Sequence, residues 1–167
     1  MSSQNGLQKG PLVAAVLAGS WRSNNYPALR INEQDLADVA ALLSRSGAAA
    51  LAWRRIKDTT LASSPSGETL RQTYRLQSLK SVAHEQAVEK VFRLLREAGV
   101  EALLVKGWAA AILYEQQDLR PAGDIDLCVR PEHRDKAVAA LAGSGCFTDL
   151  HTSLSEIGER SLDDLFA

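Results

Sequence analysis

Apolar residues recur every three or four positions along most of the first hundred residues, the period of a helix that buries one face. Leu36, Val39, Ala40 and Leu43 form the clearest stripe, with Asn32 before it as an N-cap and Ser46-Gly47 after it as a stop. A short helix is expected to open at Pro11, since proline suits a first helical position, and to end near Gly19-Ser20, with residues 1–10 frayed. Residues 21–32 read as a loop, and a further helix runs from Ala48 to about Lys57. The Ser- and Thr-rich stretch from Thr59 to Gly67 reads as a linker. The longest periodic run, Glu68 to Ala98, carries Leu70, Tyr74, Val88, Val91, Phe92 and Leu95 and predicts a helix of about eight turns closed by Gly99.

The pattern changes after Gly99. Val100 to Val105 is a short apolar run suited to a buried strand, and Lys106-Gly107 interrupts it before a helical stretch from Trp108 to about Gln117. Ile125, Leu127 and Val129 then alternate with Asp124, Asp126 and Cys128, the period of a strand. A helix over Pro131 to Leu141, a third strand over Cys146 to His151 and a closing helix over Ser155 to Phe166 complete the reading. The expected fold is α/β in the α+β sense: a small mixed sheet of about three strands with flanking helices, preceded by a helical region. That division puts a helical N-terminal region at 1–98 and the chemistry-bearing core at 99–167, packed as one compact unit.

Composition narrows the function classes. The 167 residues are 46% hydrophobic and 23% charged, enough to bury a core without disulfide staples. The net charge of −1 argues against bulk nucleic-acid binding, so a polyanion must be met locally. Two cysteines, Cys128 and Cys146, are too few for a disulfide scaffold or a thiolate zinc site, which makes a reducing cytoplasm the expected compartment. No run reaches the roughly 20 apolar residues of a membrane span. The apolar stretch Leu12 to Ala18 has a poor signal-peptide context, with only Lys9 before it and Pro11 at its edge, so cleavage is not expected.

The candidate chemistry lies between residues 100 and 151. In a strand, Asp124 and Asp126 share one face while Ile125 and Leu127 enter the core. Two adjacent carboxylates repel, and a divalent cation removes that conflict; Mg²⁺, a hard ion that keeps several waters, suits such a pair. A bare Asp-x-Asp carries little information, because the ten aspartates of the chain predict about 0.6 chance pairs at that spacing. Its context adds weight. Gly107 stands at a strand-to-helix turn, where backbone N–H groups can receive a phosphate, and Lys106 and Arg120 can neutralise it. Taken alone, Gly107 reads first as a tight strand-to-helix turn residue.

The run Leu103-Leu104-Val105-Lys106-Gly107, Tyr114, Arg120 and the segment Gly123-Asp124-Ile125-Asp126-Leu127-Cys128-Val129 resemble the DNA polymerase β-type nucleotidyltransferase superfamily. They are most similar to its poorly characterised bacterial branch. The resemblance covers about residues 33–151 and implies a mixed sheet with helices, Mg²⁺ (or Mn²⁺) ions, and an NTP as substrate. The implied reaction moves a nucleoside monophosphate to a hydroxyl acceptor of unspecified kind, whether small molecule, protein or RNA, and releases pyrophosphate. It implies metal ligation by Asp124 and Asp126, and phosphate contacts from Lys106, Gly107 and Arg120. The third carboxylate of the superfamily matches Asp149, in Phe147-Thr148-Asp149-Leu150-His151; His151 shares its face as a neighbour of the metals, or is an ordinary surface histidine.

Two departures stand out. Trp108 follows Gly107 where the superfamily carries serine or glycine, and only Gly143 to Cys146 separate the last predicted helix from the Asp149 strand, as in a shortened relative. These departures support an alternative: a nucleotide-binding or protein-interaction relative that has lost catalysis. Outside the motif, His84 reads as a core-edge histidine beside Val88 and Phe92, and Arg54, Arg55 and Lys57 read as a solvated basic helix face.

Overall fold

The computed structural model describes residues 4–20, 28–121 and 123–145, together with two short strands at Glu156–Ile157 and Arg160–Ser161. Its helices are α1 (Gln4–Leu17), α2 (Glu33–Arg45), α3 (Ala49–Ile56), α4 (Pro65–Glu97), α5 (Lys106–Ala111) and α6 (Arg134–Ala142). Strands β1 (Ala102–Leu104) and β2 (Leu127–Val129) pair antiparallel, and β3 (Glu156–Ile157) pairs antiparallel with β4 (Arg160–Ser161). The class is α+β, as expected. No helix among the described residues is long and apolar enough to cross a membrane.

The chain divides into two units, residues Met1–Ala83 with Ala110–Gly123, and His84–Ala109 with Asp124–Ala167. In the first, Val16 of α1, Leu36, Val39 and Leu43 of α2, Ile56 of α3 and Leu70 of α4 are fully buried in one cluster. The start of α2 agrees closely with the sequence: Asn32 Oδ1 accepts from the Asp35 N–H at 2.9 Å, and Asp35 Oδ2 accepts from the Asn32 N–H at 3.0 Å. That reciprocal cap satisfies two N–H groups the helix leaves open and contributes about 1 kcal/mol. In the second unit, Val91 and Leu95 of α4, Val100 and Ala137 of α6 form the buried cluster, with Ile125, Leu127 and Val129 packed against it. Gly99 ends α4 at φ 63, the left-handed conformation a helix C-terminal stop requires.

Several elements differ from expectation. Helix α1 begins at Gln4, so Pro11 is an interior residue. An interior proline costs about 3 kcal/mol, offset here because Leu12, Val13, Val16 and Leu17 seat the second half of α1 on the core. The expected linker is ordered: Thr59 Oγ1 accepts from the Leu61 N–H at 3.2 Å to start a 3₁₀ turn over Thr60–Ser63. Ser64 Oγ then accepts from the Gly67 N–H at 3.1 Å, and Pro65 opens α4 three residues before the expected start. Two of the residues that suggested a linker, Thr59 and Ser64, are caps.

Helix α5 stops at Ala111, short of Gln117, because Leu113 and Tyr114 N–H groups bond three residues back and the next segment is drawn into the first unit. Among the described residues the sheet of β1 and β2 has two strands. The expected third strand, 146–151, lies outside the described residues. The closing helix expected over 155–166 is corrected: β3 and β4 occupy part of it.

The solvated basic face on α3 is also corrected. Arg54 and Arg55 are 8% and 7% exposed, and Arg54 is ion-paired with Glu115. A buried guanidinium needs such a partner, and Glu115 comes from a segment 61 residues away.

Candidate active site

In the second unit β1 and β2 run with Ala102 opposite Val129, Leu103 opposite Cys128 and Leu104 opposite Leu127. The ladder continues one step further, since the Val105 N–H donates to Asp126 O at 2.9 Å. This bond pins the backbone of Asp126 beside the end of β1, although Asp124 and Asp126 precede β2 rather than lying within it. The alternation still holds. Ile125, Leu127 and Val129 face the core, while Asp124 is exposed and the Asp126 side chain is 35% exposed.

After Val105 the chain turns sharply. Lys106 has φ 52, the one non-glycine residue with positive φ among the described residues. For an L-residue this conformation costs about 1–2 kcal/mol and persists only where the surroundings hold it. The turn brings Lys106 Nζ to 3.9 Å from Asp126 Oδ1. It also presents the bare Cα of Gly107 to the aspartates: a Cβ there would lie 3.7 Å from both Asp126 Oδ2 and Asp124 O. The Lys106 side chain is 78% exposed, so its attraction to Asp126 is a screened contact worth about 0–1 kcal/mol. Lys106 is thus an exposed cation beside the Asp126 carboxylate, able to turn to an anionic ligand at little cost.

The structure therefore brings Asp124, Asp126, Lys106 and Gly107 together. Arg120 belongs to the first unit, where it lines an open pocket of about 280 Å³ with Tyr114, Pro121, Leu51 and the Ser46–Ala48 turn. Its segment is anchored on α3 and α4 by the Glu115–Arg54 pair, by Gln77 Nε2 donating to Asp118 O at 2.6 Å, and by Ser78 Oγ donating to Asp118 Oδ2 at 2.6 Å. Beside them the Tyr74 hydroxyl has its pKa raised above the usual 10.0, first by burial and then by the Asp118 carboxylate, against a lowering hydrogen bond from Ser78. Asp149 and His151 lie outside the described residues.

A family model described as an uncharacterised nucleotidyltransferase matches residues 32–161. The chain belongs to that family. No curated protein and no solved structure matches it. The nucleotidyltransferase match takes in α2 through β4 and contains Lys106, Gly107, Arg120, Asp124, Asp126 and Asp149, leaving α1 outside.

The donor chemistry of this nucleotidyltransferase suits a hard divalent ion. Among the described residues no group of three or more His, Cys, Asp or Glu side chains converges. The Asp126 carboxylate and the Asp124 main-chain oxygen both lie beside the bare face of Gly107, and oxygen donors of this kind suit an ion that keeps waters and completes its shell with substrate phosphates. Sequence reasoning missed the role of one residue. His84 packs on Trp108, the residue after Gly107, with ring centroids 5.0 Å apart and planes at 57°. The positions are 24 apart in sequence, and no local pattern signals the contact.

Proposed function

We propose that this nucleotidyltransferase moves a nucleoside monophosphate from an NTP to a hydroxyl acceptor and releases pyrophosphate. The observation that carries the reading is the convergence of the Asp126 carboxylate, the Lys106 ammonium and the bare face of Gly107 at one turn. Asp124 and Asp126 would hold Mg²⁺ or Mn²⁺. When bound, the ion supplies charge neutralisation of the triphosphate and a lower pKa for the acceptor hydroxyl.

The chain's own residues do the rest. Gly107 lets a phosphate approach the backbone where a side chain would stand in front of Asp126. Lys106 exchanges its loose contact with Asp126 for a phosphate oxygen, placing a full positive charge where pyrophosphate leaves. The sequence resemblance assigns Arg120 to the polyphosphate and Asp149 to the metals as the third carboxylate.

Titration calorimetry with Mg·ATP and Mg·GTP tests the reading. Wild type is expected to bind, and Asp124→Ala and Asp126→Ala to weaken binding at least about tenfold, equivalent to about 1.4 kcal/mol. Binding that persists unchanged in both variants refutes the proposal. A second arm offers labelled NTPs with protein, RNA and small-molecule acceptors; nucleotide bound without labelled product would favour the relative that has lost catalysis.

A further inference from the structure

The Lys106–Gly107 turn is strained, yet it sits where the carboxylates need it. Something must hold it. One restraint is the Val105 N–H bond to Asp126 O at 2.9 Å, which precedes the turn. Immediately after the turn stands Trp108, 6% exposed, whose indole meets the His84 imidazole at 5.0 Å between centroids and a tilt of 57°. Tilted aromatic pairs at this separation are favourable, because ring edges meet ring faces. His84 is carried by α4, whose Val91 and Leu95 anchor the core of the same unit. The imidazole is thus fixed by a long helix, and the indole is fixed against it.

Lys106 cannot relax from φ 52 to an ordinary right-handed value without redirecting the chain at Gly107 and swinging the indole away from His84. A second feature concerns the imidazole itself. Its Nε2 is shielded from solvent and has no hydrogen-bond partner.

We infer that His84 is a positioning residue for nucleotide binding: its ring braces Trp108 and thereby holds the strained Lys106–Gly107 turn against Asp126. The inference rests on the nucleotidyl-transfer reading for its functional consequence, whereas the brace itself is measurable without nucleotide.

The Val105 amide provides that measurement, because its bond to Asp126 O opens when the turn opens. His84→Ala and the bulkier His84→Gln are expected to speed Val105 hydrogen exchange at least about tenfold while leaving the Leu95 amide of α4 unchanged. His84→Phe, which keeps an aromatic ring and loses the unpaired nitrogen, is expected to restore the wild-type rate. Unchanged Val105 exchange in the first two variants overturns the inference. So does a uniform acceleration that includes Leu95, which would mark general destabilisation, and so does failure of His84→Phe to restore protection.

Mg·ATP titration supplies the functional arm: Kd is expected to rise about tenfold in His84→Ala and His84→Gln and to return in His84→Phe. If wild type binds no nucleotide, the functional reading falls, while Val105 exchange still decides the brace. If wild type binds and the His84 variants bind equally well, the positioning role falls and the nucleotidyl-transfer reading stands.

Discussion

Replacing Lys106 by glycine separates the strain of the turn from its charge. At φ 52 lysine holds a conformation costing about 1–2 kcal/mol, which glycine adopts freely. Glycine also loosens the unfolded chain, which returns about 0.5–1 kcal/mol of that gain. The lost ion pair is a 3.9 Å contact whose lysine side chain is 78% exposed, a loss near the bottom of the 0–1 kcal/mol range. Lys106→Ala loses the same ion pair and keeps the strain, so the difference between the two variants isolates the backbone. Lys106→Gly is expected to be more stable than Lys106→Ala by about 0.5–1 kcal/mol, or about 2 °C in Tm for a chain of this size. Scanning calorimetry and urea unfolding at pH 7 measure the difference, and Mg·ATP titration should show weaker binding in both variants. A Lys106→Gly protein no more stable than Lys106→Ala would refute the claim that the turn stores strain.

The packing sets three further outcomes. Burial holds the Tyr74 phenol neutral in the folded protein above pH 10.0, where it ionises in the unfolded chain, so stability is complete below pH 10.0 and falls as pH rises through the raised folded value. Tyr74→Phe should flatten that alkaline loss in urea unfolding, and unchanged pH dependence would contradict the assignment. Glu115→Gln withdraws the anion beside Arg54, whose side chain is 7% exposed; since that of Glu115 is 42% exposed, the expected cost is about 1–2 kcal/mol by thermal unfolding. Gly67→Ala would place a Cβ 2.2 Å from Leu61 O and 2.8 Å from Ala62 O, both backbone atoms, so it should lower Tm even though alanine is the better helix former. A raised Tm would show that the 3₁₀ turn yields.

The core-facing set of Ile125, Leu127 and Val129 was legible because strand alternation is a property of adjacent residues. The stripe on α2 and its Asn32 cap were legible for the same reason, since a cap and its first turn lie within three residues. Thr59 to Gly67 misled because serine, threonine and proline serve loops and helix starts alike. Nor could a local pattern show that Arg54 is buried, because the Glu115 carboxylate that makes burial tolerable is distant in sequence.

Periodicity, capping and turn chemistry, acting over a few residues, set the helices of the first hundred residues and the strand-glycine-helix order that follows. Long-range packing sets the antiparallel pairing of β1 with β2, the left-handed turn of Lys106 beside Asp126 and the contact of His84 of α4 with Trp108. Local preferences amount to tenths of a kcal/mol per residue, so they specify elements. Burying side chains contributes more per residue and joins distant positions, so packing alone can hold a lysine in a conformation its own backbone disfavours.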